Sequence, residues 1–149
     1  DCGFLSDILS NDYIPVIATL GTDSEGNIYN INADTCASRI ASSLKALKMI
    51  ILTDVDGIIL NNNGFDNKDK VINPNNINDI KLVSKLSAEK CHEMIKNGQI
   101  SSGMIPKVIA CIDSLKSGVK RTHILNGTTP HSILIEIFTD KGIGTMITD

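Results

Sequence analysis

Tryptophan is absent from the 149-residue sequence, arginine occurs twice, and aromatic residues make up only 3%. The 17 acidic side chains outnumber the 14 basic ones, giving a formal charge of −3. Charges of both signs are spread along the chain, so a surface that binds nucleic acid by neutralising phosphates is excluded. The small basic cluster of Lys116, Lys120 and Arg121 has no neighbouring ring on which a base could stack. Apolar runs stay far below the roughly 18 residues needed to cross a bilayer, which argues against a membrane partner. Four cysteines (Cys2, Cys36, Cys91 and Cys111) contain no C-x-x-C pair, so the reading is free buried thiols in a reducing compartment, with no metal site. The three histidines, His92, His123 and His131, have no metal-ligand spacing. Neither G-x-S-x-G nor G-x-x-x-x-G-K-[ST] occurs, which removes the serine-hydrolase elbow and the P-loop. The start at Asp1 has no initiator Met and no charged-then-apolar leader pattern, so a longer or processed polypeptide is expected.

What the chain does contain is 42% apolar and 21% charged residues, an ordinary globular balance at a length that suits one domain. Ile, Asn and Lys number 24, 14 and 12, a bias towards AT-rich codons that reports on a genome and not on chemistry. Ile14–Ala18 is a short apolar run expected to form a buried strand, followed by a turn at Asp23–Asn27. Asp34 is placed to cap a helix running to about Lys48, with Cys36, Ala37, Ile40, Ala41, Leu44 and Leu47 inward. Met49–Leu52 lacks alternation and predicts a strand covered on both faces. The Asn-rich stretch Asn61–Asp79 predicts an exposed loop or small hairpin. Ser87 opens a helix that Gly98 ends. A second helix starts near Met104–Pro106, with Val108, Ile109, Ile112 and Leu115 as its buried stripe, and stops at Gly118. Strands near 120–125 and 144–147 flank a helix over 130–138. These alternations define one α/β domain, a three-layer αβα sandwich with a mainly parallel central sheet.

Small and polar residues concentrate in three places where strands meet helices, the usual ligand crevice of such sheets. In Tyr29–Thr35, an extended backbone would align Asn30, Asn32 and Asp34 in period two. Two carboxamides can grip a carboxylate or amide, although a turn with a helix cap accounts for Asn32 and Asp34 equally well. Thr53–Ile58 follows the expected buried strand directly, and either a nucleotide-binding turn or a plain connection fits it. Ile100–Lys107 is a Ser/Gly-rich turn entering a helix, whose unpaired N–H groups suit an anion. Lys107 in that first turn opposes the helix dipole, and local rules tend to break where function demands it. An exposed surface lysine is the competing account.

Taken together, Asn30–Asp34, Leu52–Ile58, Ser102–Val108 and the block from His131 through Glu136–Ile147 resemble the C-terminal half of the acetylglutamate kinases, within the amino-acid kinase family. The order and spacing match over nearly the whole chain and lapse at Asn61–Asp79. The resemblance implies that residues 1–149 form the nucleotide-binding half, with the N-terminal substrate half missing. It implies phosphorylation of the side-chain carboxylate of N-acetyl-L-glutamate by ATP carried as its Mg2+ complex, in arginine biosynthesis. Lys107 matches the lysine that stabilises the transition state, and Asp34 the carboxylate that orients it. Asn30 matches the substrate-holding residue, with Asn32 beside it. Thr53, Asp54, Val55, Asp56, Gly57, Ile58 and Ile59 match one ATP-binding stretch, and Gln99, Ile100 and Ser101 the other. His123, Glu136 and Gly142 fall where arginine-inhibited members bind that inhibitor.

The wording of residues 107–125 is similar to cyanobacterial and plastid members. The resemblance therefore implies a plastid stroma or a bacterial cytoplasm, a homo-oligomer and a PII signal protein as partner. Ser102 stands where the family commonly has Gly, and Asn126-Gly127-Thr128 replaces Asp-Gly-Arg, which is expected to remove a charge pair near the inhibitor region. A non-catalytic nucleotide- or arginine-binding module is the alternative from another class. A related kinase acting on carbamate, aspartate or a nucleoside monophosphate is the alternative within the family.

Overall fold

A computed structural model describes residues 2–61, 80–140 and 142–149. The core is a four-stranded sheet of β3 (Lys48–Thr53), β7 (Arg121–Asn126), β8 (Thr145–Thr148) and β6 (Lys85–Ser87), in the spatial order β3-β7-β8-β6. The β3–β7 and β6–β8 pairings are parallel, and the β7–β8 pairing is antiparallel. Two small antiparallel pairs stand apart from it, β1 (Leu20–Thr22) with β2 (Ile28–Asn30), and β4 (Ile59–Asn61) with β5 (Ile80–Leu82). The expected loop between the latter two falls at residues 62–79, outside the described residues, and its base closes as a hairpin.

Helices α2 (Ala33–Ser43), α3 (Ala88–Lys96) and α4 (Ile105–Lys116) cover one face of the sheet. Helix α4 lies between α2, α3 and the strands, so it buries Val108, Ala110, Cys111, Ile112, Ser114 and Leu115, a wider arc than one amphipathic stripe. Ile109, expected in that stripe, is exposed instead. Two serines allow the close approach of α2 and α4. Ser114 Oγ lies 2.8 Å from the Ala110 carbonyl and 2.9 Å from Ser38 Oγ, so both buried hydroxyls are satisfied. Strand β7 alternates across the sheet. Thr122 faces Cys111 on the α4 side, while His123 bonds to Glu136 of α5 (Ser132–Phe138) on the other, which makes α5 the third layer. The αβα architecture and mainly parallel sheet agree with the sequence pattern.

Three local expectations are corrected. Ile14–Ala18 forms no strand, and Ile14 and Val16 are 90% and 96% exposed. Its apolar character signals burial, yet nothing among the described residues pairs with it as a strand. Strand β3 alternates rather than being covered twice: Met49 and Ile51 are buried against the helices, while Leu52 is exposed on the opposite face. Helix α2 is capped by Asn32, whose Oδ1 accepts from Thr35 N at 3.0 Å, and it ends at Ser43, leaving Ala37 and Leu47 exposed. Asp34 lies inside the first turn, so it does not cap the helix but complements the helix dipole. Of the four free thiols, Cys91 and Cys111 are buried, whereas Cys2 and Cys36 are only partly covered. The helix α1 (Cys2–Ser10) buries none of its side chains.

Candidate functional site

Each of α2 and α4 runs back across the sheet to the start of a parallel strand, α2 into β3 and α4 into β7. Their N-termini therefore share the edge where β3 and β7 end, the edge at which open α/β sheets bind ligands. Two helix N-termini side by side add their positive ends at one place. Lys107, in the first turn of α4, sends its Nζ to Asp34 in the first turn of α2, at 3.0 Å from Oδ2 and 3.4 Å from Oδ1. The two side chains are 25% and 17% exposed, so the pair is shielded yet reachable. No acid occupies the first turn of α4. Asp34 is what holds the ammonium at a place where the dipole would otherwise repel it.

Asn30 ends β2 and is exposed, and Asn32 follows as the α2 cap. The expected period-two row ends at Asn32, because Asp34 has entered the helix. Asn32 spends its Oδ1 on Thr35 N and Thr35 Oγ1, the latter at 3.2 Å. Its side-chain N–H groups make no bond among the described residues, and they are donors suited to a carboxylate. Capping thus leaves the carboxamide N–H groups available, so the cap and a ligand contact, which the sequence poses as alternatives, are compatible in one side chain.

After β3 the chain turns through Asp54–Gly57. Thr53 Oγ1 donates to Asp54 Oδ1 at 3.1 Å, and Gly127 N donates to the Thr53 carbonyl at 2.8 Å. Asn126 Nδ2 donates to Asp56 Oδ1 at 2.8 Å. Asn126, which the sequence marks as a departure, therefore also meets the Asp56 turn. An aspartate at 126 would face the Asp56 carboxylate. Gly57 adopts φ +143°, open to glycine alone, and packs on Thr145. Val55 is exposed, but Ile58 belongs to the core, as does Ile100. Their side chains cannot face a ligand, and both polar backbone groups of Ile58 are bonded internally, its N–H to Thr145 Oγ1 and its carbonyl to Val83 N. Gln99 N donates to the Met94 carbonyl at 2.9 Å beyond Gly98 (φ +67°), the left-handed glycine that ends α3. The Ser101 carbonyl then accepts from Met104 N and Ile105 N, which leads the 99–101 stretch straight into α4 at the same edge. Among the described residues no group of three His, Cys, Asp or Glu side chains could hold a metal ion.

His123, Glu136 and Gly142 come together on the α5 side of the sheet. His123 Nδ1 lies 2.8 Å from Glu136 Oε1, with the two side chains only 7% and 6% exposed. Glu136 Oε2 accepts from Ile143 N at 2.7 Å and Gly144 N at 3.1 Å. Burial pushes the Glu136 carboxyl up, but the Ile143 N–H, the His123 side chain and the Gly144 N–H outweigh it, and its pKa falls below the ordinary value. Gly142 takes φ +60°, and a side chain there would strike the Glu136 carboxylate at 2.7 Å. His123 Nε2 is buried without a hydrogen-bond partner among the described residues. Glu136 is thus an internal carboxylate, not a solvated helix position.

Thr145 carries no signal of its own in the sequence, and Asn126 and Gly127 stand out only as a departure near the inhibitor region, yet the three hold the Thr53–Ile58 turn. Their roles depend on bonds between residues far apart in the chain, and local pattern carries no trace of them.

These features define an α/β domain with a charged pair at its strand ends, and the model of the amino acid kinase family matches residues 3–126. The chain belongs to that family. It is 48% identical over 144 residues to an acetylglutamate kinase of Campylobacter hominis, covering 97% of this chain and 45% of that one. Among solved structures it is similar to N-acetylglutamate synthase from Neisseria gonorrhoeae, at 29% identity and a TM-score of 0.83, covering 100% of this chain and 31% of that one. That synthase has been solved with coenzyme A and N-acetyl-glutamate, and with coenzyme A and L-arginine. Carbamate kinase from Giardia lamblia shares the fold, at a TM-score of 0.67 and 21% identity over 98% of this chain and 43% of that one. The chain spans about half the length of the curated relatives it matches. No helix among the described residues is long and apolar enough to cross a membrane.

Proposed function

We propose that the chain is the C-terminal, nucleotide-binding half of an acetylglutamate kinase, which transfers the γ-phosphoryl group of MgATP to the side-chain carboxylate of N-acetyl-L-glutamate. A carboxylate oxygen bonds to phosphorus, the bond to the β-phosphate oxygen breaks, and ADP leaves. The nucleophile is already ionised at neutral pH, since an ordinary glutamate titrates near about 4.3, so the site requires no general base. What it requires is charge neutralisation and alignment between two anions. The observation that carries the reading is the Lys107–Asp34 pair bridging two helix N-termini at the strand ends. Lys107 neutralises the transferring group, and Asp34 is its positioning residue. The carboxamides of Asn30 and Asn32 hold the amino-acid substrate. Residues 53–59 and 99–101 hold the nucleotide, with Ile58 anchoring its stretch to the core.

Arginine as inhibitor is part of the proposal. Its support is the sequence resemblance, together with the clustering of His123, Glu136 and Gly142 around one buried carboxylate. The exposed Ile14 and Val16 are covered, in this reading, by the remaining half of the polypeptide and by homo-oligomer contacts. A PII-type partner and residence in a plastid stroma or a bacterial cytoplasm complete the proposal, supported by the sequence resemblance. The test is an acyl-phosphate assay trapping the product with hydroxylamine, on this chain co-expressed with the preceding half of a relative. Product with N-acetylglutamate, and little with aspartate or carbamate, is expected. Turnover of carbamate in preference would overturn the substrate assignment.

A further inference from the structure

The hydroxyl of Thr145 closes a ring of three hydrogen bonds between segments distant in sequence. Ile58 N donates to Thr145 Oγ1 at 2.8 Å. Thr145 Oγ1 donates to the Val83 carbonyl at 2.6 Å. Val83 N donates back to the Ile58 carbonyl at 2.9 Å. Thr145 is fully buried, so water cannot replace its hydroxyl without opening the packing. Gly57 lies so close that a Cβ there would stand 2.6 Å from Thr145 Oγ1 and 3.1 Å from Thr145 N. The other two anchors of the turn, Gly127 on Thr53 and Asn126 on Asp56, hold its earlier part. At the end, where Ile58 passes from the turn into the core, Thr145 holds the Ile58 N–H and Val83 N holds the Ile58 carbonyl.

We propose that Thr145 is a positioning residue for nucleotide binding, acting through the backbone of Gly57 and Ile58. The inference rests on the assignment of residues 53–59 to the nucleotide. Its physical basis is that backbone groups serve a phosphate or ribose only when held still. Ile58 has its side chain in the core and both polar backbone groups bonded internally, so the turn presents the main chain leading into it, at Gly57, and the Thr145 hydroxyl helps to set where that main chain sits. Removing the hydroxyl strands two groups at once, the Ile58 N–H and the Val83 carbonyl, and the turn must shift to recover partners. Thr145→Val keeps the shape and removes the hydroxyl, whereas Thr145→Ser keeps the hydroxyl and removes a methyl. The coupling also has a direction. The residues just before Thr145 are those whose N–H groups Glu136 holds, so the turn is tied to the buried His123–Glu136 pair through one short segment.

The test is MgATP binding by calorimetry to the native chain and the two variants, with each variant's fold checked by thermal melting. Native binding, a rise in Kd of about tenfold or more for Thr145→Val, and a Thr145→Ser value within about twofold of native would support the role. A folded Thr145→Val that binds as tightly as the native chain would overturn it. Failure of the native chain to bind MgATP would instead remove the nucleotide assignment on which it rests. Should Thr145→Val not fold, backbone NMR of the native chain decides. Added MgATP is expected to shift the Gly57, Ile58 and Thr145 resonances, and resonances that stay unmoved while others shift would overturn the role.

Discussion

Gly57→Ala is a sharp test of the turn, because two separable costs meet there. At φ +143° an alanine enters a region that side chains avoid, a strain of about 1–3 kcal/mol. Its Cβ would also stand 2.6 Å from Thr145 Oγ1, 3.0 Å from Leu82 Cδ1 and 3.1 Å from Thr145 N. Two of these are atoms of a buried residue that the sheet holds in place, so the relief must come from moving the turn. Overpacking of this kind costs about 1–3 kcal/mol. The sum, about 2–6 kcal/mol, is a large share of the roughly 5–15 kcal/mol that a domain has in hand. Two other glycines isolate the parts. Gly118 has φ +103° with open space around its missing side chain, so Gly118→Ala should bear only the strain. Gly103 has neither feature, and Gly103→Ala should lie within about 1 kcal/mol of native. Urea denaturation of the three variants should rank them Gly57, then Gly118, then Gly103 in order of loss. A Gly57→Ala midpoint equal to that of Gly103→Ala would refute the packing argument.

Further outcomes follow from the buried titrating groups. The folded pKa of Glu136 lies below its ordinary 4.5, so its ionised form contributes fully above that value, and the contribution is lost as pH falls through the lower folded value. Glu136→Gln should therefore be less stable than native near neutral pH, by about 2 kcal/mol, with the gap narrowing in acid; a gap independent of pH would contradict this. Burial raises the Cys91 thiol to about 11 and, as the leading cause, the Cys111 thiol to about 12. A thiol reagent at neutral pH should label Cys2 and Cys36 first and reach the buried pair only in denaturant. Rapid labelling of all four in the native chain would show that the α3–α4 interface is open.

The sequence exposed most where local rules and tertiary demands coincide. Ser87 with Gly98 bounds α3, and Pro106 with Gly118 bounds α4, because capping chemistry and stop residues act within a few positions. It misled where the same residues serve two ends. The run Ile14–Ala18 announces burial without naming what buries it, and β3 carries an apolar run although only one of its faces is covered among the described residues. At the site, Lys107 was conspicuous because a cation in a first helical turn breaks a rule, and its partner explains the exception. Asn32 was legible only as a choice between cap and ligand contact, whereas the geometry permits both. The roles of Thr145 and Asn126 are illegible in the sequence because they lie in Ile58, Val83 and Asp56, reached only after the sheet has formed.

The central claim is that the cation joining the two helix N-termini acts on the transferring phosphoryl group. It is tested most directly by the steady-state rate of N-acetylglutamate phosphorylation in the co-expressed enzyme carrying Lys107→Ala. Losing one fixed charge opposite developing phosphoryl charge should cost on the order of 3 kcal/mol, so kcat is predicted to fall about a hundredfold or more. The KM for N-acetylglutamate should move far less. A folded variant that retains kcat within about threefold of native, equivalent to less than about 1 kcal/mol, would contradict the account.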